Sequence, residues 1–517
     1  LLGVLLVLVI TFSVFIPNFL SANIFMNIIR QNVYLGVLAL GITFIIMVAG
    51  TDLSAGSNIA FAGACGALAM QALGGNGIVT ALAGIIATLM GGLLMGGING
   101  VMIGQFNINP FMATLAVQSL ARGLTLFLTN GRRIIVENDY YNWFGQKDLI
   151  QIIDGKFSIP GSIIILILLF ITINLLLTKT VFGRCTYAVG GNKTTARASG
   201  INTKNQITKI FILGGLMAGF ASIITVGRAT SAQPLAGIGV EFDAITAVVI
   251  GGTSLAGGTG SLIGTLLGAM ILGTISTGLG MIRISPFITY IVKGILIIIA
   301  VYIDNASKDM SLVSAFKKRR KKEIGTEIEK KSIETVSNNK HKKLELNNIC
   351  KEFPGVKALD EVSLVIERGK VHALVGENGA GKSTLIKVLS GVYSKDKGEV
   401  FIDEKPVNIN STVDSQKMGI SVIYQELALV PELSITQNIF LGKEIKVKNG
   451  FLLDNKSMKK QARELLDRFN LNLNVNMKVK DCTVGQQQMI EIAKAVASDS
   501  WIIVMDEPTA AITEQDK

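Results

Sequence analysis

Histidine, tryptophan and cysteine are nearly missing from these 517 residues, which hold two, two and four of them. Cys65, Cys185, Cys350 and Cys482 lie far apart in unlike surroundings without C-x-x-C spacing, so no disulfide framework is implied. His341 and His372 add too little for a zinc or haem site to be argued. Charge is also scarce, at 17% of residues, and it is withheld from whole stretches. No Asp, Glu, Lys or Arg occurs in 53–121, a run of 69 residues, or in 244–282, a run of 39. Such runs point to lipid, and at about 20 residues per crossing the first accommodates three helices. Further apolar segments at 1–16, 33–50, 159–178, 210–227 and 286–303 bring the expected total to roughly ten spans. Neither an initiator Met nor a basic stretch precedes 1–16, so a secretory signal does not explain it, and the sequence is expected to begin inside a longer protein.

A net charge of +12 raises the question of nucleic acid, and its placement answers it. Segment 179–209 carries six basic and no acidic residues, and 304–343 carries twelve basic and six acidic; together they account for the whole +12. Both read as cytoplasmic by the positive-inside rule, which removes the support for a nucleic-acid partner. Segment 130–159 is balanced, four against four, with Tyr140, Tyr141, Trp143 and Phe144, and is expected outside near the interface. The stretch 304–343 includes six consecutive basic residues, Lys317 to Lys322, and reads as a flexible linker able to meet anionic lipid.

Glycine recurs through the apolar half, where it permits close helix packing. Two polar breaks stand out: Gly50-Thr51-Asp52-Leu53-Ser54, and Ser231-Ala232-Gln233-Pro234 leading to Glu241 and Asp243. A carboxylate at membrane depth is costly and marks a pathway, so Asp52 and Asp243 are candidates for one; short loops at the interface are the alternative. Lys293, inside the last span, either lines a cavity or snorkels.

The phosphate chemistry lies further on. Gly376-Glu377-Asn378-Gly379-Ala380-Gly381-Lys382-Ser383 fits G-x-x-x-x-G-K-[ST], between an expected strand at 370–375 and a helix opening at Thr384. Glycines let backbone N–H groups close on a triphosphate, Lys382 reaches its β and γ phosphates, and Ser383 offers a hydroxyl to Mg²⁺. The run 501–507 reads as a buried parallel strand ending in Asp506 and Glu507, the first suited to magnesium and the second to polarising the attacking water. A solvated helix start at Asp-Glu-Pro is the alternative for that pair.

The apolar half resembles the permease subunits of bacterial ABC importers for monosaccharides, the class that takes up ribose, xylose and galactosides. Gly50 to Ser54, Phe182-Gly183-Arg184, Gly190-Gly191-Asn192, Ser199-Gly200-Ile201, Ser231 to Pro234, Asp243-Ala244-Ile245 and Gly251 to Leu255 carry the likeness. Residues 344–517 resemble the first half of the ATPase subunit of the same importers. That resemblance implies that Phe353 stacks on adenine and that Gln425 senses Mg²⁺ and faces the permease. It also implies that Cys482-Thr483-Val484-Gly485-Gln486 meets the γ phosphate of an opposing domain through Thr483, Gly485 and Gln486. Cys482, Thr483 and Val484 depart from the usual Leu, Ser and Gly. The family's switch histidine and second ATPase half would lie past Lys517. The resemblance further implies a second permease copy, a full-length or second ATPase domain, an external sugar-binding protein, and transmission of ATPase closure through 179–209.

The expected architecture is thus a polytopic α-helical membrane domain at 1–303, a basic cytoplasmic linker at 304–343, and an α/β P-loop ABC ATPase domain at 344–517, incomplete at its C-terminus. The expected function is ATP- and Mg²⁺-dependent import of a monosaccharide, ribose-type, across a bacterial cytoplasmic membrane. A passive channel or assembly subunit with an inert ATPase portion is the alternative.

Overall fold

The break at Ala49–Ser54 sets the plan of the membrane half. The computed structural model describes residues 1–146, 148–152, 157–282, 285, 287–289, 291–299, 301–302, 343–377, 379–424, 427–447, 450, 452–498 and 500–506. They divide into two units, Leu1–Gly191 with Thr203–Lys318, and Asn192–Asn202 with Arg319–Lys517.

In the first unit, α1 (Leu2–Phe15) precedes α2 (Ala22–Met47), which is buried almost continuously from Val33 onward. Ala49 then turns left-handed at φ 56°, and the Asp52 carboxylate accepts from the Ser54 amide (2.8 Å) and hydroxyl (2.6 Å), ending one helix and opening α3 (Ala55–Leu73). α4 (Ile78–Gly100) runs on through a π turn at Val101–Gln105, and α5 (Pro110–Thr129) starts with proline where a missing N–H costs nothing. Next come β1 (Ile134–Ile135), α6 (Asp139–Gln146), the antiparallel pair β2 (Asp148–Ile152) and β3 (Phe157–Pro160), α7 (Gly161–Lys179) and α8 (Val181–Gly191). The expected interfacial aromatic cluster is split: Tyr140 is exposed, but Tyr141 is fully buried against Ile223 and Val226. Its hydroxyl lies 3.1 Å from that of Thr88, and this partner makes burial of the phenol tolerable.

In the second unit, α9 (Lys193–Ala198) is capped by the Asn192 side chain at the Thr195 amide. The chain returns to the first unit with α10 (Thr203–Ala229), β4 (Ser231–Ala232, paired with β1), α11 (Val240–Ile250), α12 (Leu262–Met281) and α13 (Phe287–Ile299). α10 packs on α2, α3 and α4, where a Cβ on Gly96 would lie 2.6 Å from the Phe211 carbonyl oxygen and 2.8 Å from Gly215 Cα. Polar groups in these helices are tied to one another, as by Asn99 to Ser54 (2.8 Å) and Ser222 to the Ile59 carbonyl (2.7 Å), because lipid offers them no water. The apolar segments 1–16, 33–50, 159–178, 210–227 and 286–303 each overlap a helix, α1, α2, α7, α10 and α13. Six helices among the described residues are long and apolar enough to cross a membrane; α1 and α13 are shorter, and α11 has 11 residues.

The rest of the second unit begins with β5 (Lys343–Phe353) and β6 (Val356–Glu367), followed by α14 (Lys382–Leu389), β7 (Lys397–Ile402), β8 (Lys405–Val407), α15 (Thr412–Lys417) and β9 (Ile420–Ile423). α16 (Ile435–Ile439), α17 (Asn455–Arg468), α18 (Val484–Val496) and β10 (Ile502–Met505) complete it. One antiparallel sheet has the order β6-β5-β7-β8, and β9 pairs in parallel with β10, as expected of 501–507; the strand is not the buried one expected, since Ile503 and Met505 are exposed and only β9 pairs with it among the described residues. Leu385, Val388 and Leu389 of α14 pack on Leu344, Leu346, Leu359, Ile420 and Ile502 in a common core. The strand expected at 370–375 is not formed: Val371 is fully exposed and Val375 is 90% exposed. No strand among the described residues pairs with it, and an apolar run without a neighbour has nothing to be buried against. The linker at 304–342 lies outside the described residues.

Candidate functional site

The glycine-rich loop leads directly into α14. Gly379 and Gly381 adopt φ +87° and +89°, and a Cβ on Gly381 would fall 2.6 Å from the Ala358 carbonyl oxygen, so the turn tolerates only glycine there. The Ala380 amide donates to the Glu377 carbonyl (3.1 Å), closing the loop beneath the helix start. The Lys382 ammonium turns back onto the loop, donating to the carbonyls of Gly376 and Glu377. Ser383 and Thr384 follow in the first turn, where the helix dipole favours an anion, and Ser383 is exposed. Asn378 lies outside the described residues.

Phe353 ends β5, edge-on to Tyr393 at 5.3 Å between ring centroids, with the Lys351 ammonium 5.6 Å from its own centroid. The Asp506 amide donates to the Ile423 carbonyl (2.9 Å), so the parallel pairing brings Asp506 to the end of β9, beside Tyr424. Gln425 and Glu507, the next residue of each strand end, lie outside the described residues.

Thr483 is the N-cap of α18. Its hydroxyl accepts from the Gln486 amide (3.3 Å) while the Gln486 side chain accepts from the Thr483 amide (3.0 Å), a reciprocal box that fixes both, with Gly485 between them in the first turn. The departure from the usual signature thus keeps the helix N-terminus in order. Burial and the neighbouring Asp481 push the Cys482 thiol up to about 11, leaving it protonated and inert.

Glu491 and Lys494 belong to no motif read from the sequence. Both lie on α18, and Lys494 donates to the Ser199 hydroxyl (3.3 Å) and the Ala428 carbonyl (2.8 Å). Gln416 and Thr412 of α15 donate to the carbonyls of Ala198 (3.2 Å) and Arg197 (2.9 Å). Segment Asn192–Asn202 is therefore seated within the nucleotide-binding unit by three side-chain hydrogen bonds, from Thr412, Gln416 and Lys494. Burial raises the Glu491 carboxyl above its usual range, with Lys494 opposing, and burial followed by Lys494 lowers Lys443. A spacing of three on a helix puts Glu491 and Lys494 on one face but does not say what that face meets.

In the membrane unit, a cavity of about 490 Å³ is lined by Gln31, Asn32, Tyr34, Arg228, Asp243 and Lys293 among others. Asp243 stands in the first turn of α11 and pairs with Lys293 at 2.7 Å, so Lys293 lines a cavity. Asp52 is enclosed, 4% exposed, with its carboxylate turned onto Ser54.

Residues 24–301, over half of the chain, match the family described as branched-chain amino acid transport system / permease component. The chain belongs to this permease family. Residues 359–510 of the permease match the ABC transporter family, so its second part is an ABC-type nucleotide-binding domain. The permease is 40% identical over 306 residues to the ribose import permease protein RbsC of Escherichia coli strain K12, an alignment covering 58% of this chain and 91% of that one. It is 48% identical over 171 residues to a putative ribose/galactose/methyl galactoside import ATP-binding protein of Hahella chejuensis, covering 33% of each. It is 49% identical over 171 residues to the ribose import ATP-binding protein RbsA of Caldanaerobacter subterraneus, covering 33% of this chain and 34% of that one. The chain thus spans about a third of the length of these ATP-binding relatives. The permease is a multi-pass membrane protein.

Proposed function

We propose that this chain is the permease, with part of the ATP-binding machinery, of an ATP-driven importer for a monosaccharide, ribose-type. The observation that carries the reading is the seating of Asn192–Asn202, a segment drawn from between α8 and α10 of the membrane half, inside the unit that holds the phosphate cradle. Such a segment converts closure of nucleotide-binding domains into movement of the helices it joins, the role expected of 179–209. Names of relatives of both halves point to the same solute class.

The cradle from Gly376 to Ser383, with Thr384, binds the triphosphate, and Phe353 stacks on adenine. Ser383, Gln425 and Asp506 would hold Mg²⁺; all offer hard oxygen donors of the kind that ion takes, and bound there it would neutralise charge developing on the phosphates. Glu507 polarises the attacking water, and Thr483, Gly485 and Gln486 close on the γ phosphate of an opposing domain. Hydrolysis therefore needs that second domain, and the chain alone turns ATP over poorly. A missing positioned group costs on the order of 10² to 10³ in rate. A second permease copy, a full-length or second ATPase domain, membrane lipid and an extracytoplasmic sugar-binding protein complete the assembly. Residues 1–303, 304–343 and 344–517 act as permease, linker and ATPase portions. Asp243 lines the solute path, and Asp52 serves it by holding the break between α2 and α3.

Labelled ribose uptake into proteoliposomes, with and without ATP, a complete ATP-binding subunit and the sugar-binding protein, tests this. Uptake should require all of them. Rapid equilibration without ATP would instead favour the passive-channel reading, and brisk phosphate release by the chain alone would remove the need for a second domain.

A further inference from the structure

A second cavity, about 260 Å³, lies beside the one that holds Asp243. It is lined by Ile59, Gly63, Ser231, Ala232, Gln233 and Gly237 among others, so the polar break after α10 faces it. The two cavities share two residues, Tyr34 and Arg228. Residues common to both walls form the partition between them. The Arg228 guanidinium lies 5.5 Å from the Tyr34 ring centroid and donates to the Gln31 carbonyl at 3.0 Å. Gln31 and Tyr34 are three apart on α2, so one cation spans a helix turn and fixes the ring where both cavities meet it. On the larger side, Gln31, Asn32, Ser276 and Thr277 offer donors and acceptors for hydroxyl groups, and Asp243 and Lys293 face the same space, each about one-fifth exposed. Its volume falls in the range of about 300 to 1,000 Å³ usual for small-molecule sites, and its mostly polar lining suits a hydroxylated solute better than an apolar one.

We propose that Tyr34 and Arg228 form a gate between two successive solute chambers of the membrane unit, and that the Asp243–Lys293 pair in the larger chamber binds a neutral polyhydroxylated solute. The proposal rests on the importer reading. A largely buried pair is costly to desolvate, and with no net charge it can accept from and donate to hydroxyls without selecting a charged solute. A solute hydroxyl inserts between carboxylate and ammonium, and moving the Tyr34 ring aside opens the way to the smaller chamber.

The test uses proteoliposomes of the full chain and its variants, with labelled ribose equilibration measured without ATP and saturation of ATP-driven uptake measured in the complete assembly. Tyr34→Ala should raise ATP-independent equilibration at least tenfold over the parent, Arg228→Ala should do so less, and Tyr34→Phe, which keeps the ring, should leak less than Tyr34→Ala. Asp243→Asn and Lys293→Met should each raise the half-saturating concentration several-fold with a smaller change in maximal rate, and the double variant should be no worse than the worse single one. Equal amounts of inserted protein, checked by detergent extraction and gel filtration, separate these effects from misfolding. If the parent itself equilibrates ribose without ATP, the importer reading fails. If the parent is tight and ATP-driven but Tyr34→Ala is equally tight, the gate is wrong. If the pair variants change only maximal rate, the pair is a helix clamp and not a solute site.

Discussion

Glycine does different work in the packed helices of one unit and the phosphate loop of the other. Inside α4 it keeps ordinary helical φ, and its value is the side chain it lacks: Gly92 faces the Gly215 carbonyl so closely that a Cβ would stand 2.5 Å from it. In the phosphate loop Gly379 sits between elements at positive φ, and no atom lies within 4 Å of the Cβ it lacks. Without a hydrophobic force between helices, lipid-embedded packing depends on close backbone approach, whereas a soluble site depends on backbone turned to present its amides. Charge divides the units in the same way. In the membrane unit Asp243 and Lys293 pair in the wall of a cavity, while in the other unit Lys351–Asp396 and Lys478–Glu432 are surface pairs.

The largest expected effect is at the cation the glycine turn serves. Lys382→Ala should abolish nucleotide binding at concentrations that saturate the parent, while Glu507→Gln leaves affinity within a few-fold; equilibrium dialysis with labelled ATP compares them. Next is the packing glycine: Gly96→Ala places a methyl against the Phe211 carbonyl and Gly215, and should cost at least the roughly 1 to 3 kcal/mol of an overpacked core. Gly97→Ala, with nothing within 4 Å, should be neutral or gain up to about 1 kcal/mol of helix propensity. Thermal stability in detergent reads both, and equal shifts would break the comparison between units. Gly379→Ala should cost about 1 to 2 kcal/mol from backbone strain alone, visible in denaturant melts of the nucleotide-binding unit's fluorescence.

The smallest effect is electrostatic. A hydrogen bond from Lys351, and then one from the Glu352 amide, hold the Asp396 carboxyl below its ordinary value. A carboxyl lowered on folding contributes stability above its ordinary value, and that contribution is lost as pH falls through the folded one. Asp396→Asn should therefore make stability less steeply dependent on pH below about 4 and leave it nearly unchanged at high salt. Unchanged acid unfolding profiles would show that the surface pair contributes nothing.

Much of the organisation was legible because lipid imposes strict rules. Among the described residues, helices long and apolar enough to cross a membrane lie where apolar runs are, since a backbone without water must bond to itself. The cradle was legible because G-x-x-x-x-G-K-[ST] encodes its own local geometry, down to the left-handed Gly379 and Gly381. The strand at 370–375 was misread because apolar pattern reports what a segment could bury, not whether a neighbour is present to bury it. Tyr141 was read as interfacial for a related reason: an aromatic suits both an interface and a core, and only Thr88 opposite its hydroxyl distinguishes them here.

By itself, then, the sequence determined which half faces lipid, where the phosphate loop turns and which strand ends in Asp506, because each follows from the period or conformational demand of adjacent residues. Tertiary structure alone decided that Lys293 meets Asp243, that Tyr34 and Arg228 stand between two cavities, and that Ser199 reaches Lys494. Those pairs are separated by 50, about 190 and 295 positions, and no local rule of spacing brings such distant residues together; only the packing of whole elements does.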